Sequence, residues 1–351
     1  FALNAPYNGG THLPDITVVT PVFDDDRILF WTASRGHHAD VGGIAPGSMT
    51  PRATSVDEEG VLIDNFLLVE DGRFRDGPLR ALLTDHPYPC RNPDQNVADL
   101  KAQVAANARG SAELRLMIDQ FGLDVVQAYM GHVQDNAAAE VARVLGRLED
   151  GEYEYPTDTG QVIRVKISID RENSTVTVDF TGTSDMAKNN FNAPEPVTRA
   201  AVLYVFRVMV ESPIPMNAGC LRPIRIIVPE GCMLAPTYPA AVVAGNVETS
   251  QHVTNALFGA LGAMSNSAGS PAGRLNDGRE FAGQAGVHVH MTNSRLTDPE
   301  ILESRYPVLL ERFGIDEGSG GAGRVRGGDG TSRVIRFLEA MDLSILSSHR
   351  T

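Results

Sequence analysis

A single tryptophan, three cysteines and an aromatic share of 6% mark what these 351 residues hold little of; basic side chains are also few, 30 against 44 acidic ones. The formal charge of -14 would repel a phosphate backbone rather than release its counterions, which argues against a nucleic-acid partner. No apolar run approaches the roughly 20 residues that span a bilayer, and the N-terminus lacks the basic-then-apolar pattern of a secretion signal. A soluble, cytoplasmic protein is expected. Cys90, Cys220 and Cys232 are odd in number and far apart, with no CxxC pair. They indicate neither a disulfide framework nor a thiolate zinc or redox site, and read as free buried thiols.

Nucleotide signatures are missing too. No GxxxxGK[ST] occurs, so nothing cradles a triphosphate in the P-loop manner. Gly318-Ser319-Gly320-Gly321-Ala322-Gly323 satisfies GxGxxG formally, but glycine and arginine follow it rather than a helix whose N-terminus could face a pyrophosphate.

What the chain does hold is length enough for a large core and two clear hydrophobic periods. β-Branched and aromatic residues over 16–22 and 27–34 flank Asp24-Asp25-Asp26, a turn-forming cluster, and predict a hairpin. Its second strand leads to Arg35-Gly36-His37-His38 and then to a long loop carrying Gly42-Gly43, Pro46-Gly47 and Pro51. Between Asn92 and Leu148 the period turns helical. Asp94 is the candidate cap of a helix with Val97, Leu100 and Val104 on one face. A second helix carries Val126, Tyr129, Met130, Val133, Val141, Val144, Leu145 and Leu148, and Gly110, Gly122 and Gly151 are the expected breaks.

Further on, Ile163, Val165, Ile167 and Ile169 alternate with polar neighbours, and Val176, Val178 and Phe180 repeat the pattern after a turn. A helix over 197–210, a strand over 224–228, a helix over 253–264 headed by Thr249 and Ser250 as caps, and paired strands over 333–337 and 343–346 complete the reading. The class is α+β, with mixed or antiparallel sheets built from hairpins and with helices in blocks. Residues 151–159 are the best candidate linker. They divide the chain into a region over 1–150, holding the first hairpin, long loop and helices, and an α+β region over 151–351. The opening Phe1-Ala2-Leu3-Asn4 falls inside an apparent strand, as in a fragment.

Chemistry-bearing residues gather at the ends of the first hairpin. In Gly9-Gly10-Thr11-His12-Leu13-Pro14-Asp15, an imidazole and a carboxylate three apart can converge on one divalent ion if Leu13-Pro14 bends the backbone. Arg35-Gly36-His37-His38-Ala39-Asp40 closes the same hairpin, and an antiparallel ladder sets the start of one strand beside the end of the next. His12, Asp15 and His37 or His38 could therefore face one point. Spacing alone favours an ordinary hydrogen-bonding loop histidine over a metal ligand. His288 and His290 alternate on what reads as a strand, and either line a substrate pocket or serve as structural histidines.

Asn4-Ala5-Pro6-Tyr7-Asn8-Gly9-Gly10-Thr11-His12-Leu13-Pro14-Asp15-Ile16, with Ser34-Arg35-Gly36-His37-His38-Ala39-Asp40 and Glu58-Glu59-Gly60-Val61, closely resembles the hydantoinase B family. Asp179-Phe180-Thr181-Gly182-Thr183, Asn189-Asn190-Phe191-Asn192 and the glycine-rich 318–330 resemble it too, so the likeness runs along nearly the whole chain. The stretch His288-Val289-His290-Met291-Thr292-Asn293-Ser294-Arg295 looks most like its 5-oxoprolinase branch.

The resemblance implies a hydantoinase B-like fold and ATP-dependent ring opening of a cyclic amide, with 5-oxo-L-proline as the expected substrate and an oligomeric assembly. A hydantoinase A-like domain or subunit would bind ATP and Mg. This chain would hold a divalent metal through His12, Asp15 and His37. It implies orienting or proton-handling roles for His38 and Asp40. An ATP-dependent hydantoinase, a ketone carboxylase or a non-catalytic scaffold are the alternatives. Two departures stand out: Ala5 replaces the family's Asp, and the chain is short around 267–279.

Overall fold

Two main hydrophobic cores organise the described residues, each built on one hairpin, and a smaller third cluster holds Val22, Phe30 and Val126. The computed structural model describes residues 1–263, 270, 272–274, 279–292 and 295–345. β1 (Ala2–Leu3) lies beside β2 (Asp15–Asp24), which pairs antiparallel with β3 (Arg27–His37) across the expected Asp24 turn. Strand alternation buries Ile16 and Val18, and the long loop after β3 returns Val41, Val56, Val61 and Ile63 to the same core. A short ribbon of β4 (Val69–Glu70) and β5 (Arg73–Phe74) precedes three helices: α1 (Asp76–Thr84), α2 (Pro93–Phe121) and α3 (Leu123–Leu145). Leu79 and Leu83 of α1 and Val97 and Leu100 of α2 complete this first core.

The helical boundaries differ from expectation in three ways. Asn92, not Asp94, caps α2: its side-chain oxygen accepts from the Gln95 N–H at 3.3 Å with Pro93 in the first helical position, while Asp94 pairs with Arg80 at 2.6 Å. Gly110 does not break the helix. It lies where α2 crosses β3, and a Cβ there would sit 3.5 Å from Thr32 Cγ2. The break is Gly122, whose φ of +84° suits glycine alone. Tyr129, Met130 and Val133 are exposed, because only the second half of α3 reaches the second core, through Ala137, Val141 and Leu145.

The expected linker is a strand. β6 (Gly151–Pro156), β7 (Val162–Asp170) and β8 (Thr175–Asp179) form an antiparallel series, and β9 (Ile224–Ile227) joins parallel to β8 after α4 (Glu195–Val208). Tyr155 of β6 is buried, and Gly151 permits a close approach to the next helix, since a Cβ there would meet the Ala260 carbonyl at 1.9 Å. Ile163, Val165, Ile167, Val176 and Val178 join α3, α4 and α5 (Ser250–Leu261) in the second core. Thr249 and Ser250 do not cap α5. A π-helical turn over Gly245–Thr249 feeds it, and their hydroxyls bond Phe191 O at 2.6 Å and Asn246 O at 2.9 Å.

Beyond α5, β10 (Gly273–Arg274) pairs with β11 (Glu280–Phe281); α6 (Pro299–Arg305), β12 (Val308–Ile315) and β13 (Thr331–Phe337) follow. β13 pairs with β12 rather than with 343–346. A bulge between Leu310 and Arg312 shifts the faces of β12 and hides its alternation. Residues 343–345 form no strand, and Leu346, like Met264, lies outside the described residues. All three cysteines are buried and free. No helix among the described residues is long and apolar enough to cross a membrane.

Candidate metal centre

The loop from Asn4 to Pro14 is held from both sides. Asn4 is fully buried; its amide nitrogen donates to Leu13 O at 2.8 Å and Val61 O at 3.0 Å, and its oxygen accepts from Ile63 N at 2.6 Å. Gly10 passes so close to this residue that a Cβ would lie 2.2 Å from Asn4 O. Buried Leu13 anchors the following turn, in which Asp15 N donates to His12 O at 3.1 Å. His12 and Asp15 therefore sit on one side of a bend. His37, the last residue of β3, is the ladder partner of Asp15, and Pro14 O accepts the His38 N–H at 2.8 Å, which closes the hairpin end.

These constraints bring one ligand atom each from His12, Asp15 and His37 within 4.8 Å of one another. His37 Nδ1 donates to Asp15 Oδ1 at 2.9 Å; His12 Nδ1 stands 3.4 Å from Asp15 Oδ2, and the two imidazoles lie 5.3 Å apart. Burial drives the His12 pKa down to about 4 against the pull of the Asp15 charge, so the ring is neutral and one of its nitrogens offers a lone pair. Burial by itself would raise Asp15, but the His37 hydrogen bond and the neighbouring charges hold it below the usual carboxylate range. His12 Nδ1 is buried without a hydrogen-bond partner. Two imidazoles and an ionised carboxylate, one nitrogen orphaned and His37 facing solvent, fit a divalent transition metal with open positions.

His38 and Asp40 point elsewhere. His38 is 1% exposed; Asn96 Nδ2 donates to its Nδ1 at 3.1 Å, and its Nε2 meets Gln103 Oε1 at 3.1 Å. Both nitrogens are engaged by side-chain amides, so these surroundings favour positioning over proton transfer. Asp40 accepts from the N–H groups of Gly42, Gly47 and Arg91 and from the Arg91 guanidinium at 2.8 Å. Burial opposes its charge, but those donors hold the carboxyl below its ordinary value and tie it to the long loop.

His288 and His290 do not alternate on a strand. His290 has φ +71°, its Nδ1 lies 3.2 Å from Tyr204 OH, and its ring packs on Phe258, while His288 is exposed. None of the contacts made by His290 reaches the His12 group. Burial, then the nearby His288 charge, push its pKa down to about 4. Asn293 and Ser294 of that motif, and most of 267–279, lie outside the described residues. Sequence reasoning missed Asn96, Gln103 and Arg91. The first two were legible as polar interruptions on the face of α2 that carries Val97, Leu100 and Val104.

With this geometry in hand, comparisons with known proteins agree along the chain. The family described as Hydantoinase B/oxoprolinase matches residues 1–278 and 265–351. A 5-oxoprolinase of Dictyostelium discoideum is 42% identical over 373 residues, and 5-oxoprolinase 1 of Arabidopsis thaliana 44% identical over 387 residues; each covers 99% of this chain. Both alignments are longer than the chain, and the family match is split at 265–278, where the sequence looked short. The chain spans 29% and 31% of those relatives. The fold is shared with the crystal structure of an ATP-dependent caprolactamase from Pseudomonas jessenii, with TM-score 0.75, 23% identity, and coverage of 95% of this chain and 64% of that one. The match over the whole length and the identity to the two oxoprolinases establish that the chain belongs to the hydantoinase B/oxoprolinase family.

Proposed function

We propose that this chain is the metal-dependent hydrolytic part of an ATP-dependent cyclic-amide hydrolase that opens 5-oxo-L-proline to L-glutamate. The observation that carries the reading is the meeting of His12, Asp15 and His37, with a buried, unpartnered nitrogen on His12. The substrate follows from the two oxoprolinases that this chain resembles at 42% and 44% identity. ATP and Mg bind a hydantoinase A-like domain or subunit in the cytoplasm, where the lactam oxygen accepts the γ-phosphate. ADP leaves, the stable amide carbon becomes electrophilic, one water opens the ring to an acyl phosphate, and a second releases glutamate and phosphate.

In this reading His12, Asp15 and His37 hold the ion, which supplies Lewis acidity for the hydrolytic half of the reaction. Asp15 contributes the negative charge, and burial keeps His12 neutral and able to ligate. His38 and Asp40 position the hairpin end and the long loop. A cavity of about 580 Å³ lies between Pro6, Tyr7 and Gly9 of the loop that leads to His12 and the segments over 195–199 and 228–238; it is roomy enough for a small ring, though His12, Asp15 and His37 do not line it. Neither His288 nor His290 lines this cavity.

The test is ATP hydrolysis by this chain with its hydantoinase A-like part, with and without 5-oxoproline. Turnover stimulated by 5-oxoproline supports the reading, and no turnover with 5-oxoproline or other lactams sinks it. Dependence on bicarbonate and a ketone would instead assign a carboxylase. One feature favours a scaffold without catalysis: Ala5, 3% exposed, leaves the turn without the carboxylate that its family carries there.

A further inference from the structure

Helix α2 carries three polar side chains on the face it presents to the first hairpin. Asn96, Gln103 and Asn107 are buried, although that face otherwise serves the core through Val97 and Leu100. Gln103 reaches furthest into the ladder. Its Nε2 donates to Ile16 O at 2.9 Å and to Ser34 O at 3.1 Å, one bond to each strand, and its Oε1 meets His38 Nε2 at 3.1 Å. Ile16 pairs with Gly36 on the rung next to the Asp15 and His37 pair. Gly36 leaves room for the amide: a Cβ there would stand 3.3 Å from Gln103 Cδ.

The donors and acceptors fix the His38 tautomer. Two carbonyl partners require nitrogen at one end of the Gln103 amide, so oxygen faces His38, and His38 Nε2 must donate. Asn96 Nδ2 also donates to Asp40 O at 2.9 Å, so nitrogen faces His38 Nδ1, which must accept. His38 is thus a neutral Nε2–H ring clamped between two helix amides. Its own backbone N–H is bound to Pro14 O, inside the His12 to Asp15 turn.

We propose that Gln103 is a positioning residue for the His12, Asp15 and His37 group, holding β2 at the adjoining rung through Ile16, β3 at Ser34, and, through His38, the turn that carries His12. This rests on the metal reading given above. Asn107 provides the control: its amide also donates to β2, to Val18 O at 2.9 Å and Thr20 Oγ1 at 3.1 Å, but Val18 pairs with Ser34, three rungs from His37. Both amides bond the Val18 and Ser34 rung, so loss of either removes buried hydrogen bonds of the same kind, and only Gln103 adds bonds to Ile16 beside the ligand pair and to His38.

The experiment titrates Mn²⁺ or Zn²⁺ into the metal-free protein by calorimetry for wild type, Gln103→Leu, Gln103→Glu and Asn107→Leu. Gln103→Glu keeps the volume and an acceptor toward His38, and serves if the leucine variant does not fold. Both Gln103 variants should bind about 10- to 100-fold more weakly, the loss typical of groups that orient a ligand, with Asn107→Leu within about threefold of wild type. Equal losses at both sites, or none at Gln103, overturn the proposal. A second arm needs no metal: ¹⁵N-resolved histidine spectra should show His38 as the Nε2–H tautomer and a His37 Nδ1 signal displaced by the Gln103 variants alone. A His38 Nδ1–H tautomer, or a His37 signal unmoved by those variants, also overturns it. A wild-type protein that binds neither ion sinks the metal reading, and the spectra still decide the role of Gln103.

Discussion

Glu59 offers the most quantitative test of how the two cores are joined. It is 1% exposed, and its Oε1 accepts the N–H groups of Val242 and Val243, both at 2.9 Å, with Oε2 3.1 Å from Val242 N. The first core supplies the carboxyl, and the segment leading into the second core supplies the donors. Burial pushes the pKa from 4.5 up to about 8, with the Val243 and Val242 donors opposing. Between those values the native state holds a proton that the unfolded chain releases, so stability falls as pH rises through the window and levels off above it. The shift corresponds to at most about 5 kcal/mol, at about 1.4 kcal/mol per unit. Glu59→Gln removes the titration and leaves an amide oxygen for the same donors. Urea unfolding at pH 5, 7 and 9 should show the variant gaining on wild type by several kcal/mol across the range, since every other titrating group is common to both. Parallel pH profiles for the two proteins would refute the reasoning. Glu59→Ala should be less stable than Glu59→Gln at every pH, because two buried N–H groups lose their acceptor, at about 1–3 kcal/mol each.

Three further outcomes are expected. Asp15→Asn removes the only carboxylate of the cluster and should weaken Mn²⁺ or Zn²⁺ binding by more than about 100-fold, beyond the loss usual for an orienting group, as read by metal content after dialysis. Gly10→Ala places a Cβ 2.2 Å from Asn4 O, a backbone atom that cannot swing aside, and should cost more than about 2 kcal/mol in urea unfolding. His290, packed on Phe258 and Tyr204, should titrate by NMR near 4. Because its folded value lies below that of the unfolded chain, its contribution to stability is lost as pH falls from about 6.5 toward 4.

The sequence made legible what depends on period and on contiguous motifs, and concealed what depends on packing between distant segments. The β2–β3 and β7–β8 hairpins could be placed because their alternation is local and their turns carry Asp and Asn. The cluster could be approached for the same reason: one ladder joins Asp15 to His37, and a single turn joins His12 to Asp15. β6 looked like a linker because Gly151 and Pro156 bound it. Its identity as a strand comes from pairing with β7 and from Tyr155 burying itself beneath α5, neither of which is a local property. β12 was lost to a bulge that breaks its period.

His38 shows the limit most clearly. Beside His37 in a motif, it carries the same chemical promise, and only the fold separates the two. His37 ends a strand with its ring toward solvent and toward Asp15. His38, one residue on, turns to the opposite side, where α2 meets both of its nitrogens with amides from residues 58 and 65 positions away. Adjacent histidines on extended backbone must face opposite ways. If one serves the cluster, the other faces whatever packs behind it, and the polar interruptions of the α2 face at Asn96 and Gln103 are the sequence's record of what that is. Those interruptions become intelligible only as partners of a buried ring, because an amide on a core-facing position is costly unless each of its atoms is bonded.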